Sequence, residues 1–159
     1  GICGGYQMLG RRVADPDGIE GPPGEAVGLG LLDIDTELTG DKLLRPVSGR
    51  FADGAAFHGY EMHVGRTIGH GPVRPCVELT GAGPDGAVSA DGRIAGCYVH
   101  GLFAQVSARA SLLGGLGAAA SGGDYGAVVD QALDEIAAEL EMACDVMVLS
   151  RLAGLETRI

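Results

Sequence analysis

The sequence predicts an α/β protein on three observations. A cysteine between small residues opens the chain, Gly1-Ile2-Cys3-Gly4-Gly5-Tyr6-Gln7, which is how a sharp strand-to-helix turn is written. Short stretches of alternating apolar and polar residues fill the middle, and helical periodicity closes the chain. The 29 glycines among 159 residues fit a loop-rich α/β chain better than a coiled coil. Recurring Leu, Ile and Val argue against disorder.

In chain order, residues 7–12 are expected to continue the helix begun at the turn, ending at Asp15-Pro16-Asp17-Gly18. Residues 20–25 read as a loop and 28–36 as a strand whose second half alternates Leu32, Ile34, Thr36 with Asp33, Asp35, Glu37. Residues 42–48 read as a connector and 49–56 as weakly strand-like. Residues 59–67 form a better strand, with Tyr60, Met62 and Val64 on one side and Glu61 and His63 on the other. A short strand is expected at 77–80 and a loop at 81–86. Asp91-Gly92 predicts a tight hairpin turn, whose second strand runs into His100-Gly101. Helices are expected over about 106–119 and, after a Gly122-Gly123-Asp124 cap, to about 152. In the last helix Val129, Leu133, Ile136, Leu140, Ala143 and Met147 share one face and acidic residues take the other. No internal repeat and no linker divides residues 1–159, which read as one domain.

The formal net charge of −10, with scattered Lys and Arg, argues against nucleic acid and against an anionic membrane surface. No apolar run reaches the roughly 20 residues needed to span a bilayer. Cys3, Cys76, Cys97 and Cys144 are too dispersed for a disulfide framework or a zinc knuckle, so reduced thiols in a cytoplasmic protein are expected.

Cys3 is the candidate nucleophile. A helix whose N-terminus points at the sulfur favours the thiolate. Backbone N–H groups at the same turn can receive a developing oxyanion. A thiol nucleophile needs a base, and His58, His63, His70 and His100 are the candidates. His70 lies in a Gly-Pro-rich turn that looks solvated, and His58 falls on the opposite strand face from His63. His100 ends a strand, where sites form in open sheets, and Gly101 leaves its ring room, so His100 is the expected base. The split of His58, Glu61 and His63 between strand faces argues against a metal site.

Three segments carry a family resemblance: residues 1–10, the stretch Gly59-Tyr60-Glu61-Met62-His63-Val64-Gly65-Arg66-Thr67, and Gly96-Cys97-Tyr98-Val99-His100-Gly101-Leu102-Phe103. Together they resemble the glutamine amidotransferase domains of the cobyric acid synthase family, class I glutaminases of the cobalamin-pathway type. The resemblance covers nearly all of the chain. It implies a flavodoxin-like open sheet with helices on both faces, here missing its first strands, since the elbow stands at the very start of the chain. The chain thus reads as the C-terminal piece of a longer protein, with little or no activity expected of it alone.

The resemblance also implies roles. Cys3 would attack the side-chain amide of glutamine, giving a thioester and ammonia, and His100 would shuttle protons. The Gly4 N–H would donate to the oxyanion, and Gln7 would contact substrate. The residue two after the histidine, a glutamate in many class I glutaminases, is Leu102 here, as in the cobalamin-type group. Glu61 or His63, on the polar face of a strand in another matched motif, is a candidate to orient or support His100, the alternative being a structural or substrate-contacting pair. The implied whole enzyme would use ATP and Mg in a separate synthetase domain, with no cofactor in this chain, because no G-x-x-x-x-G-K-[ST] pattern occurs here. It would amidate the b, d, e and g carboxylates of adenosylcobyrinic acid a,c-diamide. Two other readings remain open: the glutaminase partner of a peptidoglycan-precursor (lipid II) amidating ligase, and a non-catalytic α/β scaffold.

Overall fold

The computed structural model describes residues 1–120 and 122–155. They fall into two compact units, Gly1–Ala120 and Ser121–Ile159.

The first unit is an open mixed sheet with helices. Helix α1 (Gly4–Leu9) leads into strands β1 (Arg12–Asp15), β2 (Gly24–Val27), β3 (Ile34–Arg50) and β4 (Ala56–Gly69). Strands β5 (Val77–Leu79), β6 (Gly83–Asp85), β7 (Ala87–Val88), β8 (Ala95–Gly96) and β9 (Val99–His100) follow, then helix α2 (Val106–Gly115). The sheet order is β2-β1-β3-β4-β9, with β5 and β6 attached at the far end of β3 and β7-β8 forming a separate hairpin. β1 runs parallel to β3, and its other partner, β2, is antiparallel to it. A further parallel bridge joins Ile2 to Cys97.

Two apolar clusters lie against this sheet. One holds Phe51, Phe57, Val77, Leu79, Cys97, Val99, Leu102 and Ala108. The other holds Tyr6, Leu32, Ile34, Ala87 and Tyr98. Cys97 and Val99 belong to the first and Tyr98 to the second, as alternation along an extended chain requires when both faces are buried.

Several boundaries differ from those read in the sequence. The first helix stops at Leu9, because Gly10 turns extended and Arg12–Asp15 forms a strand instead. Arg12 leaves the helix for two carboxylates, Asp35 and Glu25, on its neighbouring strands. Of the strand expected at 28–36, only the part from Ile34 is one. The preceding N–H groups of Leu29, Gly30, Leu31 and Leu32 donate to the carbonyls of Met8, Gly10, Leu9 and Leu9. They satisfy a helix C-terminus that would otherwise be orphaned.

Residues 42–48 are not a connector but the middle of the long β3. Pro46 is tolerated because residues 42–48 pair only with β4, leaving their other edge without a ladder. The loops expected at 20–25 and 81–86 contain β2 and β6. The Asp91-Gly92 turn does join β7 to β8 and Gly92 has φ +75°, but the loop spans six residues, 89–94, closed by Asp91 on Ser89 and Arg93.

Helix α2 ends at Gly115, short of the expected limit. The second unit holds α3 (Tyr125–Ala143) and α4 (Val146–Leu152), where one continuous helix was expected. Asp124 caps α3 through the Gly126 N–H, as read from the sequence. Cys144 is extended, and the Asp145 carboxylate accepts from the Val148 N–H, starting a new helix. The apolar stripe of α3 stays exposed; no residue of that helix is buried.

The approach of β9 to β4 depends on Gly59. A Cβ there would lie 2.1 Å from the His100 carbonyl oxygen. Gly59→Ala is expected to lower stability by about 1–3 kcal/mol in urea denaturation. Gly24→Ala, whose Cβ would meet nothing nearer than 3.9 Å, should change it little.

Candidate active site

The elbow is present. Cys3 has φ 53°, ψ −121°, the only positive φ at a non-glycine residue described. Such a backbone is costly for a side-chain-bearing residue and is a mark of functional turns. Gly1 is demanded by the same turn, since a Cβ on it would sit 2.6 Å from the Gly5 carbonyl oxygen. The Cys3 carbonyl accepts from the Tyr6 and Gln7 N–H groups, at 2.8 and 3.1 Å, and so begins α1. The Cys3 N–H donates to the Cys97 carbonyl at 3.0 Å, fixing the elbow to the segment that leads to His100.

Strand β4 supplies the meeting point. β9 pairs with it only at Tyr60↔His100 and Glu61↔Val99. Beyond that pairing, the carbonyls of Met62 and Val64, two residues apart, point from the same edge toward α1. The Met62 oxygen lies 3.2 Å from Cys3 Sγ and 3.3 Å from His100 Nε2. The Val64 oxygen accepts from Gln7 Nε2 at 3.0 Å. Cys3, His100 and Gln7 are thus brought together on one strand edge.

Gln7 is half-buried and not on a free helix face. Its Nε2 also donates to the Tyr98 hydroxyl at 3.2 Å. That hydroxyl lies 2.6 Å from Thr67 Oγ1, which lies 2.7 Å from Thr36 Oγ1. The chain of hydroxyls ties α1 through Tyr98 to β3 and β4. Gly4 and Gln7 line a cavity of about 440 Å³ with Met8, Val13, Glu20 and Leu29 among its walls. Cys3 and His100 are not among those walls.

The ring stacked on His100 is Tyr60, with centroids 5.0 Å apart and planes within 7°. The strand register places them directly opposite each other. Glu61, a candidate to orient or support His100, is 4% exposed and held by Arg45 from the opposite strand. His63 stacks on Tyr98, with centroids 3.6 Å apart. The alternation read along this strand is present, but the buried side carries the carboxylate. Tyr60, Tyr98 and the Met62 carbonyl are the components that sequence reasoning did not single out. Their position inside two of the three motifs is the only signal that points to them.

A small group of titratable side chains lies beneath this edge. Burial raises the pKa of Asp85, whose carboxylate accepts from the Tyr98 N–H at 3.1 Å. Burial lowers that of His63, opposed by the charges of Glu61 and Asp85, and its Nδ1 is buried with no hydrogen-bond partner. Among the described residues, no group of three or more His, Cys, Asp or Glu could hold a metal, and no helix is long and apolar enough to cross a membrane.

The His63 shift sets a sign. Its folded pKa lies below the ordinary 6.5, so in the window beneath 6.5 the unfolded chain binds the extra proton. Stability from this group is therefore full above 6.5 and falls as pH drops toward the folded pKa. His63→Asn is expected to flatten the decline in urea midpoint between about pH 7.5 and 5.5; an unchanged slope would contradict the buried neutral ring.

Residues 1–108 match the family model of the CobB/CobQ-like glutamine amidotransferase domain. The chain is 61% identical over 155 residues to a cobyric acid synthase of Caulobacter sp. (strain K31), covering 97% of this chain and 32% of that protein. It is 57% identical over 155 residues to a cobyric acid synthase of Methylocella silvestris, again covering 97% of this chain and 32% of the relative. A cobyric acid synthase of Bradyrhizobium sp. (strain BTAi1) is 59% identical over 147 residues, 92% of this chain and 30% of its own length. The chain thus spans about a third of the length of these curated relatives. It belongs to the CobB/CobQ-like glutamine amidotransferase domain family.

Proposed function

We propose that this chain is the glutaminase part of a cobyric acid synthase. It would release ammonia from glutamine through a thioester on Cys3, in a cytoplasmic enzyme of cobalamin biosynthesis. The observation that carries the reading is the convergence of a strained cysteine elbow and His100 on the Met62 carbonyl.

A carbonyl oxygen only accepts, so each group that hydrogen-bonds to it brings a proton. In this arrangement Cys3 is a thiol and His100 Nε2 carries hydrogen, which is a resting state. Turnover requires the sulfur to leave Met62 and meet an unprotonated Nε2. Catalytic hydrogen bonds commonly tighten in this way only when substrate is bound. The Cys3 sulfur then attacks the amide carbon of glutamine while His100 takes the thiol proton. The Gly4 N–H, next after the nucleophile, stabilises the oxyanion. Collapse expels ammonia, protonated by His100, and leaves the thioester. Water, deprotonated by His100, attacks the thioester, and glutamate departs as the thiol is restored.

Gln7 is held by Val64 and Tyr98 through its Nε2, and its amide oxygen would accept from substrate. Tyr60 holds the His100 ring by stacking and is a positioning residue. Ammonia would pass to a synthetase domain outside this chain, which would use ATP and Mg²⁺ to amidate the b, d, e and g carboxylates of adenosylcobyrinic acid a,c-diamide. The residues here do not fit that activation chemistry: no phosphate-loop pattern occurs in the sequence.

In the full-length protein, a diazo-ketone analogue of glutamine is expected to label Cys3, and Cys3→Ala to abolish both labelling and glutamine hydrolysis. His100→Ala should lower kcat by about 10²–10⁴. Hydrolysis that survives Cys3→Ala refutes the reading. Tyr60→Phe keeps the ring and should keep turnover. Tyr60→Ala should lower kcat on the order of tenfold to hundredfold with little change in KM, the cost of a misaimed catalytic group.

A further inference from the structure

Two cysteines outside the catalytic pair lie against each other. The Cys76 and Cys97 side chains lie close enough for each thiol to shift the other's pKa. Both pack in the same apolar cluster, Cys97 fully buried and Cys76 partly so. Gly86 sits between them. A Cβ built on it would lie 2.7 Å from the Cβ of Cys97 and 2.8 Å from that of Cys76, so the two Cβ atoms flank a single point. The backbone holds each in place, with the Cys76 N–H on the Asp85 carbonyl at 3.0 Å and the Cys97 N–H on the Gly1 carbonyl at 3.2 Å. The two Cβ atoms therefore lie within about 5.5 Å of each other, from which a disulfide is reached by a modest backbone shift.

We propose that Cys76 and Cys97 are an oxidation site, forming a reversible disulfide when the protein meets a hydroperoxide. Cys76 is the thiol that reacts first. It is the more accessible of the two, and the neighbouring Cys97 thiol lowers its pKa. The neighbouring Cys76 thiol, followed by burial, raises that of Cys97. Cys97 therefore suits the resolving role.

The Cys76 thiolate attacks one peroxide oxygen, the O–O bond breaks, and a sulfenic acid forms as one water leaves. The Cys97 sulfur then attacks the Cys76 sulfur and expels a second water, which carries away the Cys97 proton. Two electrons pass from the sulfurs to the peroxide. A thiol reductant reverses the bond by exchange.

The pair is coupled to the site through the main chain. The Cys97 carbonyl accepts from the Cys3 N–H, and its N–H donates to Gly1. Tyr98, the next residue, holds Gln7. Drawing Cys97 into a covalent bond shifts the segment on which the nucleophile's turn and Gln7 both hang. Oxidation is thus expected to slow glutamine turnover severalfold, and reduction to restore it.

The test uses the full-length protein treated with hydrogen peroxide, alkylated and digested for mass spectrometry. The expected product is a cross-linked peptide pair joining Cys76 to Cys97, lighter than the two peptides by two hydrogens and absent after dithiothreitol. Cys76→Ser removes it, with Cys76→Ala as the second variant should the serine fold poorly. In either variant, the dithiothreitol-reversible part of peroxide inactivation disappears while basal turnover remains. The cross-link is read without any activity measurement, so it stands or falls separately from the glutaminase reading. Alkylation of both Cys76 and Cys97 after peroxide, or a cross-link from Cys97 to Cys3 instead, overturns the proposal.

Discussion

The two-residue pairing of β9 with β4 is the contact on which the rest of the site depends. It sets His100 opposite Tyr60 and stops there, which frees the next edge carbonyls of β4 for side chains. A slip of one residue would turn His100 to the other face and bring Val99 over Tyr60. Gly59 permits the approach, because any Cβ would strike the His100 carbonyl. The stacking of Tyr60 on His100 adds about 0.5–1.5 kcal/mol to the alignment beyond area burial. Cys3 arrives from the opposite end of the chain, and its turn is registered on the same segment by the parallel bridge between Ile2 and Cys97.

Beneath this edge the protein keeps polar groups where an apolar core would be simpler. Glu61 is buried against Arg45, Asp85 is half-buried with its carboxylate on the Tyr98 N–H, and His63 is stacked without a partner for Nδ1. Burying such groups costs several kcal/mol unless hydrogen bonds offset it. Arg45 supplies that offset for Glu61 and the Tyr98 N–H part of it for Asp85, while the Thr36–Thr67–Tyr98–Gln7 chain makes the position of α1 depend on β3 and β4. The geometry of the candidate site and its packing are therefore not separable here, and Tyr98 takes part in both.

Much of the site was legible because its residues carry strong local signals. Gly-x-Cys-Gly-Gly encodes an elbow, and the observed positive φ at Cys3 is what that pattern calls for. His100 before Gly101 at a strand end was equally readable. The support for His100 was not. Alternation along residues 59–67 suggested Glu61 and His63 as its neighbours, but cross-strand register decides which side chain lies opposite, and register is absent from a single strand's pattern. The fold shows the same limit. The apolar repeat at 28–32 suggested a strand, whereas those backbone groups close the end of α1. Arg11 and Arg12 looked helical until Asp35 of β3 and Glu25 of β2 were present to draw them out. Each of these outcomes rests on a partner far away in the chain.

The central claim is that, at rest, Cys3 and His100 share the Met62 carbonyl. The most direct measurement is the ¹⁵N NMR spectrum of the His100 ring in the full-length protein, recorded in alkaline buffer without glutamine. The shared carbonyl predicts hydrogen on Nε2 and a bare Nδ1. A ring with hydrogen on Nδ1 and an unprotonated Nε2 accepting from the thiol would contradict it.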